Sequence, residues 1–173
     1  MKMNKRLLGL GVAMALSTHL SGVAMAASTN GTADALVITP IAITETAAMN
    51  FGTVAGGANA DTIVMDTAGV RTITGSDAQV IAASASSAGT FSITGEAGQA
   101  YTVTFSASAT LSNGTDTMTV DTFTDNAPSP IDVGGTDTLL VGGTLNVGAN
   151  QASGTYSTSN AGGTPYTVTV NYN

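Results

Sequence analysis

Beyond its first 26 residues the chain offers carboxylates and hydroxyls for chemistry, and little else. All eleven Asp and Glu lie there with one cation, Arg71, and no His, Lys, Cys or Trp. One arginine against eleven acids gives this part a net charge of −10. Two kinds of acid chemistry deserve weighing. Asp116, Asp121 and Asp125 are spaced along and after a predicted strand, and Asp61 and Asp66 flank another. Such oxygen-rich loops are weak Ca2+ candidates, because Ca2+ takes about six to eight oxygen ligands. The spacing is neither an EF-hand nor a Gly-Asp nonapeptide array, so solvated turn acids are the simpler reading. Two carboxylates would also suffice for glycoside hydrolysis. Only Glu45 and Glu96 supplement the aspartates, however, and there is no Trp for a sugar platform.

The missing residue types exclude more. Without His or Cys there is no Ser-His-Asp or Cys-His nucleophile system and no ordinary zinc site. Without Lys there is no Schiff base and no phosphate-loop lysine. A single cation cannot neutralise a run of phosphates, so nucleic acid is not an expected partner. Arg71 is expected at the surface, paired with a nearby acid or with an acidic face of another subunit. The expectation is a protein that is not an enzyme and carries no cofactor, Ca2+ being the weak exception.

The elements that would position these residues begin after a leader. Met1–Arg6 is basic, Leu7–Leu16 is apolar, and Ala24-Met25-Ala26 carries small residues at the positions a signal peptidase reads. This predicts a signal peptide over 1–26, cleaved between Ala26 and Ala27. Ten apolar residues are too few for a span of about 20, and no later segment is apolar enough to cross a membrane. The expected route is export, through the periplasm, to the cell surface or medium.

From Ala27 on, charged residues number 12 of 147, well below the usual quarter or so. Thr, Val, Ile, Tyr and Phe alternate with period two between Gly, Asn, Asp and Ser turns, and no helix is predicted. Tyr166, Val168, Val170 and Tyr172 share one strand face, opposite Thr167, Thr169 and Asn171. Tyr101, Val103 and Phe105 form a second face, preceded by Phe91 and Ile93 across the turn Gly95–Gly98. Asn113-Gly114 predicts a hairpin turn leading to Met118, Val120 and Phe123. Further strands are expected at Asn50–Val54, Asp61–Met65, Val70–Thr74 and Thr138–Val147, the last with Leu139, Val141, Leu145 and Val147 in phase. Many short strands without helices indicate a sandwich or barrel, here one domain over 35–173.

Residues 27–34 are small and polar, and are expected to be a flexible tail. The run Ala35–Ile43 is the most aliphatic of the domain. Leu36 and Ile38 point one way along a strand, and Ile41 and Ile43 fall in the opposite phase. Pro40 marks the change, which places the strand at a sheet edge or at a bend between sheets. Two readings stand: a first strand packed on its own domain, or a donor strand (Leu36, Val37, Ile38, Ile41, Ile43) lent to a neighbour by strand addition.

The phrase Met49-Asn50-Phe51-Gly52-Thr53-Val54 follows this run. Near the other end, Val141-Gly142-Gly143-Thr144-Leu145, Asn150-Gln151 and Gly154-Thr155-Tyr156 precede a closing Thr167–Tyr172. In order and spacing these resemble the bacterial surface proteins of the domain of unknown function (DUF) 4402 family, over about residues 33–173. They are also similar to the spore coat protein U type subunits of archaic chaperone-usher pili. The resemblance implies an all-β, immunoglobulin-like antiparallel β-sandwich, pilin-like and exported. The pilus relatives further imply a homopolymer or mixed fibre, with a periplasmic chaperone and an outer-membrane usher as partners, and a donor role within Ala33–Ile43. The absence of Cys departs from those relatives, and the polar tail lacks the alternating hydrophobics of a strong donor.

Two functions follow. One is a structural surface subunit that assembles through its N-terminal strand, consistent with the absence of Lys beyond residue 26, since Lys is a common device against edge pairing. The other is a self-complete binding module of the surface or periplasm, for a glycan, a protein or Ca2+. Whichever applies, trypsin acting on the unfolded chain cuts beyond Ala27 after Arg71 alone, as mass spectrometry of the digest would show.

Overall fold

The computed structural model describes residues 25–173, and the leader features over residues 1–24 lie outside them. Residues 25–36, with Ala26 and Ala27 of the expected cleavage site, are exposed and carry no regular secondary structure. From Val37 on, the chain is all-β, with no helix among the described residues and every strand pair antiparallel. No helix of the described part is long and apolar enough to cross a membrane.

Eleven strands follow in order: β1 Ala42–Ala47, β2 Val54–Ala55, β3 Asp61–Met65, β4 Arg71–Thr74, β5 Gln79–Val80, β6 Gly89–Thr94, β7 Tyr101–Phe105, β8 Ser108–Ser112, β9 Thr117–Asp125, β10 Thr136–Val147 and β11 Val168–Tyr172. The large sheet runs β1-β6-β10-β3-β4, and β9 and β8 continue from the other edge of β10. β7 pairs with β11, and the short β2 with β5.

β10 organises this arrangement. Its first half, Thr136–Val141, pairs with β6; its second half, Gly143–Val147, pairs with β3. The partner changes at Gly142–Gly143, where the register against β9 also shifts. Added side chains have no room there, since a Cβ on Gly142 would run into the Met65 carbonyl. Period-two alternation continues through the bend, so Leu139, Val141, Leu145 and Val147 are all buried. The first two join a cluster with Phe91, Ile93, Tyr101, Ile131 and Val170, between the β1–β6–β10 part of the large sheet and the β7–β11 pair. The last two join a second cluster with Phe51, Ile63, Met65, Ala109 and Val120, inside the curl of β3, β8, β9 and β10. Two sheet layers enclosing a shared interior make a β-sandwich.

Four sequence expectations change in detail, the first being Asn50–Val54, which forms only an isolated bridge at Asn50 and the start of β2 at Val54. The aliphatic run is a strand only from Ala42: residues 35–41 form no ladder. Side chains hold that backbone at Thr39 instead, whose N–H donates to the Glu96 carboxylate (3.0 Å) and whose carbonyl accepts from the Tyr172 hydroxyl (2.7 Å). Asn113-Gly114 is not a two-residue turn. Ser112 pairs with Thr117 across a four-residue loop, and only Gly114 has positive φ, because the Asn113 side chain accepts from the N–H groups of Thr115 and Asp116. The turn at Gly95–Gly98 joins β6 to β7, which lie in different sheets, so it is a crossover between layers.

Leu139→Ala is expected to lower stability by about 2–5 kcal/mol. Gly142→Ala should also destabilise, although it removes no contact, because it presses a methyl group onto the Met65 carbonyl. Urea denaturation midpoints unchanged by both substitutions would contradict the role given to β10.

Candidate functional site

The phrases that mark the two ends of the domain form backbone locks. In Met49–Val54, the Asn50 carboxamide accepts from the Gly52 N–H (2.8 Å), Gly52 turns at φ 66°, and Phe51 enters the core. Arg71 on β4 reaches across to donate to the carbonyls of Phe51 (2.7 Å), Ile81 (3.2 Å) and Ser84 (3.3 Å). It thus clasps the 81–84 loop to the Met49–Val54 segment, and it makes no ion pair among the described residues. The expected surface acid pair is corrected: three carbonyls close together hold the guanidinium more fully than one solvated carboxylate could. At the other phrase, the Gln151 carboxamide accepts from Gly148 N–H (3.1 Å) and donates to the Tyr156 hydroxyl (2.8 Å). That hydroxyl donates in turn to the Ala152 carbonyl (2.8 Å).

The carboxylates do comparable local work. Buried Asp61 accepts from the N–H groups of Ser76, Asp77 and Ala78. Asp66 closes the β3–β4 turn through Ala68 and Val70. Of the Ca2+ candidates, Asp116 lies in the β8–β9 loop, Asp121 accepts from Asn146 (3.0 Å), and Asp125 accepts from the Ala127 N–H (2.8 Å). These three acids do not converge: no cluster of three potential metal-binding side chains occurs among the described residues. Glu45 stands on β1, whereas Glu96 is held by the Thr39 N–H, which keeps its carboxyl below the usual carboxylate range.

The most distinctive surface feature is a cleft of about 300 Å³ between the end of β1 and residues 156–166. Glu45, Ala48 and Met49 form one wall, Ser157, Pro165 and Tyr166 the other, and Phe51, Phe91, Ala109 and Val120 of both hydrophobic clusters form its floor. One wall is the end of β1 with the residues just after it, and the other is the segment that precedes β11. β1 bonds to β6 on one side, and the stretch Thr164–Tyr172 bonds to β7 and β8 on one side. Among the described residues no backbone hydrogen bond joins β1 to β11.

Tyr166 lines this cleft. Its ring stacks on Phe123 at 4.7 Å and meets Phe91 edge-on at 6.2 Å. Its hydroxyl is buried with no hydrogen-bond partner among the described residues. Such orphans are rare, because an unpaired buried polar group costs about 1–3 kcal/mol. The alternation of the last strand predicted the inward ring; nothing in the sequence indicated the unpartnered hydroxyl or the open seam.

The proposed donor residues fall into two groups. Ile41 and Ile43 are half-buried against the domain's own core, whereas Leu36 and Val37 are about nine-tenths exposed, at 89% and 91%. Ile38 is intermediate.

Burial, and secondarily the Glu45 charge, raise the Tyr166 phenol to about 12; burial, and then Asp137, raise Tyr101 likewise. An unfolded tyrosine ionises near 10. Both folded values lie above that, so their contribution to stability is complete below pH 10 and is lost as pH rises from 10 toward 12. Alkaline titration should show tyrosinate appearing late together with unfolding, and Tyr166→Phe should reduce the alkaline loss of stability. Equal pH dependence in wild type and variant would contradict this.

The family model described as Domain of unknown function (DUF4402) matches residues 41–172. No curated protein and no solved structure matches the chain.

Proposed function

The chain belongs to the DUF4402 family, and from that premise we propose that it is an exported structural subunit of a pilus-like surface fibre. In this reading a neighbour's aliphatic segment adds a strand to the seam between β1 and β11. The observation that carries the proposal is that β1 and β11 each have one strand partner, beside a cleft floored by core residues. Strand addition satisfies such edges through main-chain hydrogen bonds, with alternate side chains filling the pockets below.

The occupant we assign is the stretch Ala35–Thr39 of a second copy. It is aliphatic, forms no ladder in its own chain, and exposes Leu36 and Val37. Burying such side chains is worth about 1.5–3 kcal/mol each. Pro40 alone separates the stretch from Ile41 and β1, so each copy would give its strand forward while receiving one from behind. That interface is heterologous and grows a filament. Export through the periplasm to the cell surface, with a periplasmic chaperone and an outer-membrane usher as assembly partners, belongs to the same proposal.

One observation favours a second reading. β1 already pairs with β6 of its own chain over the whole stretch from Ala42 to Ala47, and Ile41 and Ile43 pack on its own core. A domain closed to that extent could serve as a monomeric binding module for a glycan, a protein or Ca2+. Its surface offers a shallow dish of about 310 Å³ lined by Thr62, Thr117, Met118, Asn146, Val147 and Gln151 among others.

Analytical ultracentrifugation and electron microscopy separate the readings. The fibre reading expects concentration-dependent oligomers that are lost when Leu36, Val37 and Ile38 are replaced by Asp, with the monomer still folded by circular dichroism. A wild type that stays monomeric at every concentration, or oligomers indifferent to those substitutions, would overturn it.

A further inference from the structure

The tripeptide Asn-Gly-Thr occurs at Asn30–Thr32 and again at Asn113–Thr115. Asn followed by Gly is the pairing in which the backbone attacks the side-chain amide most easily. Glycine has no Cβ to obstruct the approach and reaches conformations closed to other residues. The two copies meet opposite surroundings.

At the first, the tail is exposed and without regular secondary structure. At the second, in the β8–β9 loop, every group the attack needs is engaged. The Asn113 carboxamide oxygen accepts from Thr115 N–H (2.9 Å) and Asp116 N–H (2.7 Å), and its nitrogen donates to the Tyr156 hydroxyl (3.1 Å). The Gly114 N–H, whose nitrogen would be the nucleophile, donates to the Ser112 hydroxyl (2.9 Å). Tyr156 cannot swing aside freely, because Gln151 and the Ala152 carbonyl hold its hydroxyl.

We propose that Asn30-Gly31 is a self-modification site, and that the fold holds the same chemistry inert at Asn113-Gly114. The Gly31 amide nitrogen gives its proton to solvent base and attacks Cγ of Asn30. The new N–Cγ bond closes a succinimide, the Cγ–Nδ2 bond breaks, and Nδ2 leaves as ammonia after taking a proton from solvent. Water then opens the imide at either carbonyl, leaving an aspartyl or an isoaspartyl linkage at position 30. One water is consumed, one ammonia is released, and nothing is oxidised or reduced. The tail gains a negative charge and, in the isoaspartyl form, an extra methylene in its backbone, just ahead of the aliphatic run at Ala35. The inference is independent of whether the chain forms a fibre.

Incubating the folded full chain at mildly alkaline pH in 18O-labelled water tests it. Arg71 lies between the two sites, so tryptic cleavage there puts them on separate fragments for mass spectrometry. The expected result is label with mixed linkages at position 30 and none at Asn113, loss of the label in Gly31→Ala, and label at Asn113 once the chain is unfolded in urea. Tyr156→Phe should admit label at Asn113 in the folded protein. Equal labelling of both sites in the folded chain, or no label at Asn30 under conditions that label unfolded Asn113, would overturn the proposal.

Discussion

The rest of the structure depends on β10 changing partners halfway along its length, with β6 beside its first half, β3 beside its second and β9 along the opposite edge from Val141. A strand that kept one partner could serve only one layer. By bending at Gly142–Gly143 without losing its inward phase, β10 supplies Leu139 and Val141 to one hydrophobic cluster, and Leu145 and Val147 to the other. The two clusters thereby become one continuous interior, with Phe123, Met49 and Tyr166 packed against both.

Around that interior, short polar side chains do what disulfides and ion pairs do elsewhere. The domain has no Cys, and its only cation is clasped by carbonyls. Asn50, Asp61, Asp66, Asn113 and Gln151 each satisfy main-chain N–H groups in a loop. Buried backbone groups must find partners, and these side chains supply them. Met49–Val54 and the segment from Asn150 to Tyr156 are thus loop locks, short and rich in Asn, Gly and Tyr.

The seam between β1 and β11 is where this economy stops. β1 and β11 each pair on one side alone, and no ladder joins them. β1 holds two positions at once: its pairing with β6 closes the domain's own core, and its other edge stays free. The two functional readings rest on opposite sides of that one strand.

Much of the architecture was legible in the sequence. Alternation alone identified β3 at Asp61–Met65, the buried phase of β10 and the inward face of the last strand, because side-chain direction in a strand is a local property with period two. The missing residue types likewise limited the chemistry, since a reaction needs groups the chain must contain. What alternation could not reveal was which edges pair. Pairing is settled between segments far apart in the chain, so it took the tertiary structure to show that residues 35–41 form no ladder, that Gly95–Gly98 crosses between layers, and that Arg71 seeks carbonyls. The same holds for the cleft and for the two Asn-Gly-Thr copies, identical as sequence. Only packing decides that one lies open while hydrogen bonds to Tyr156 and from Thr115 and Asp116 immobilise the other.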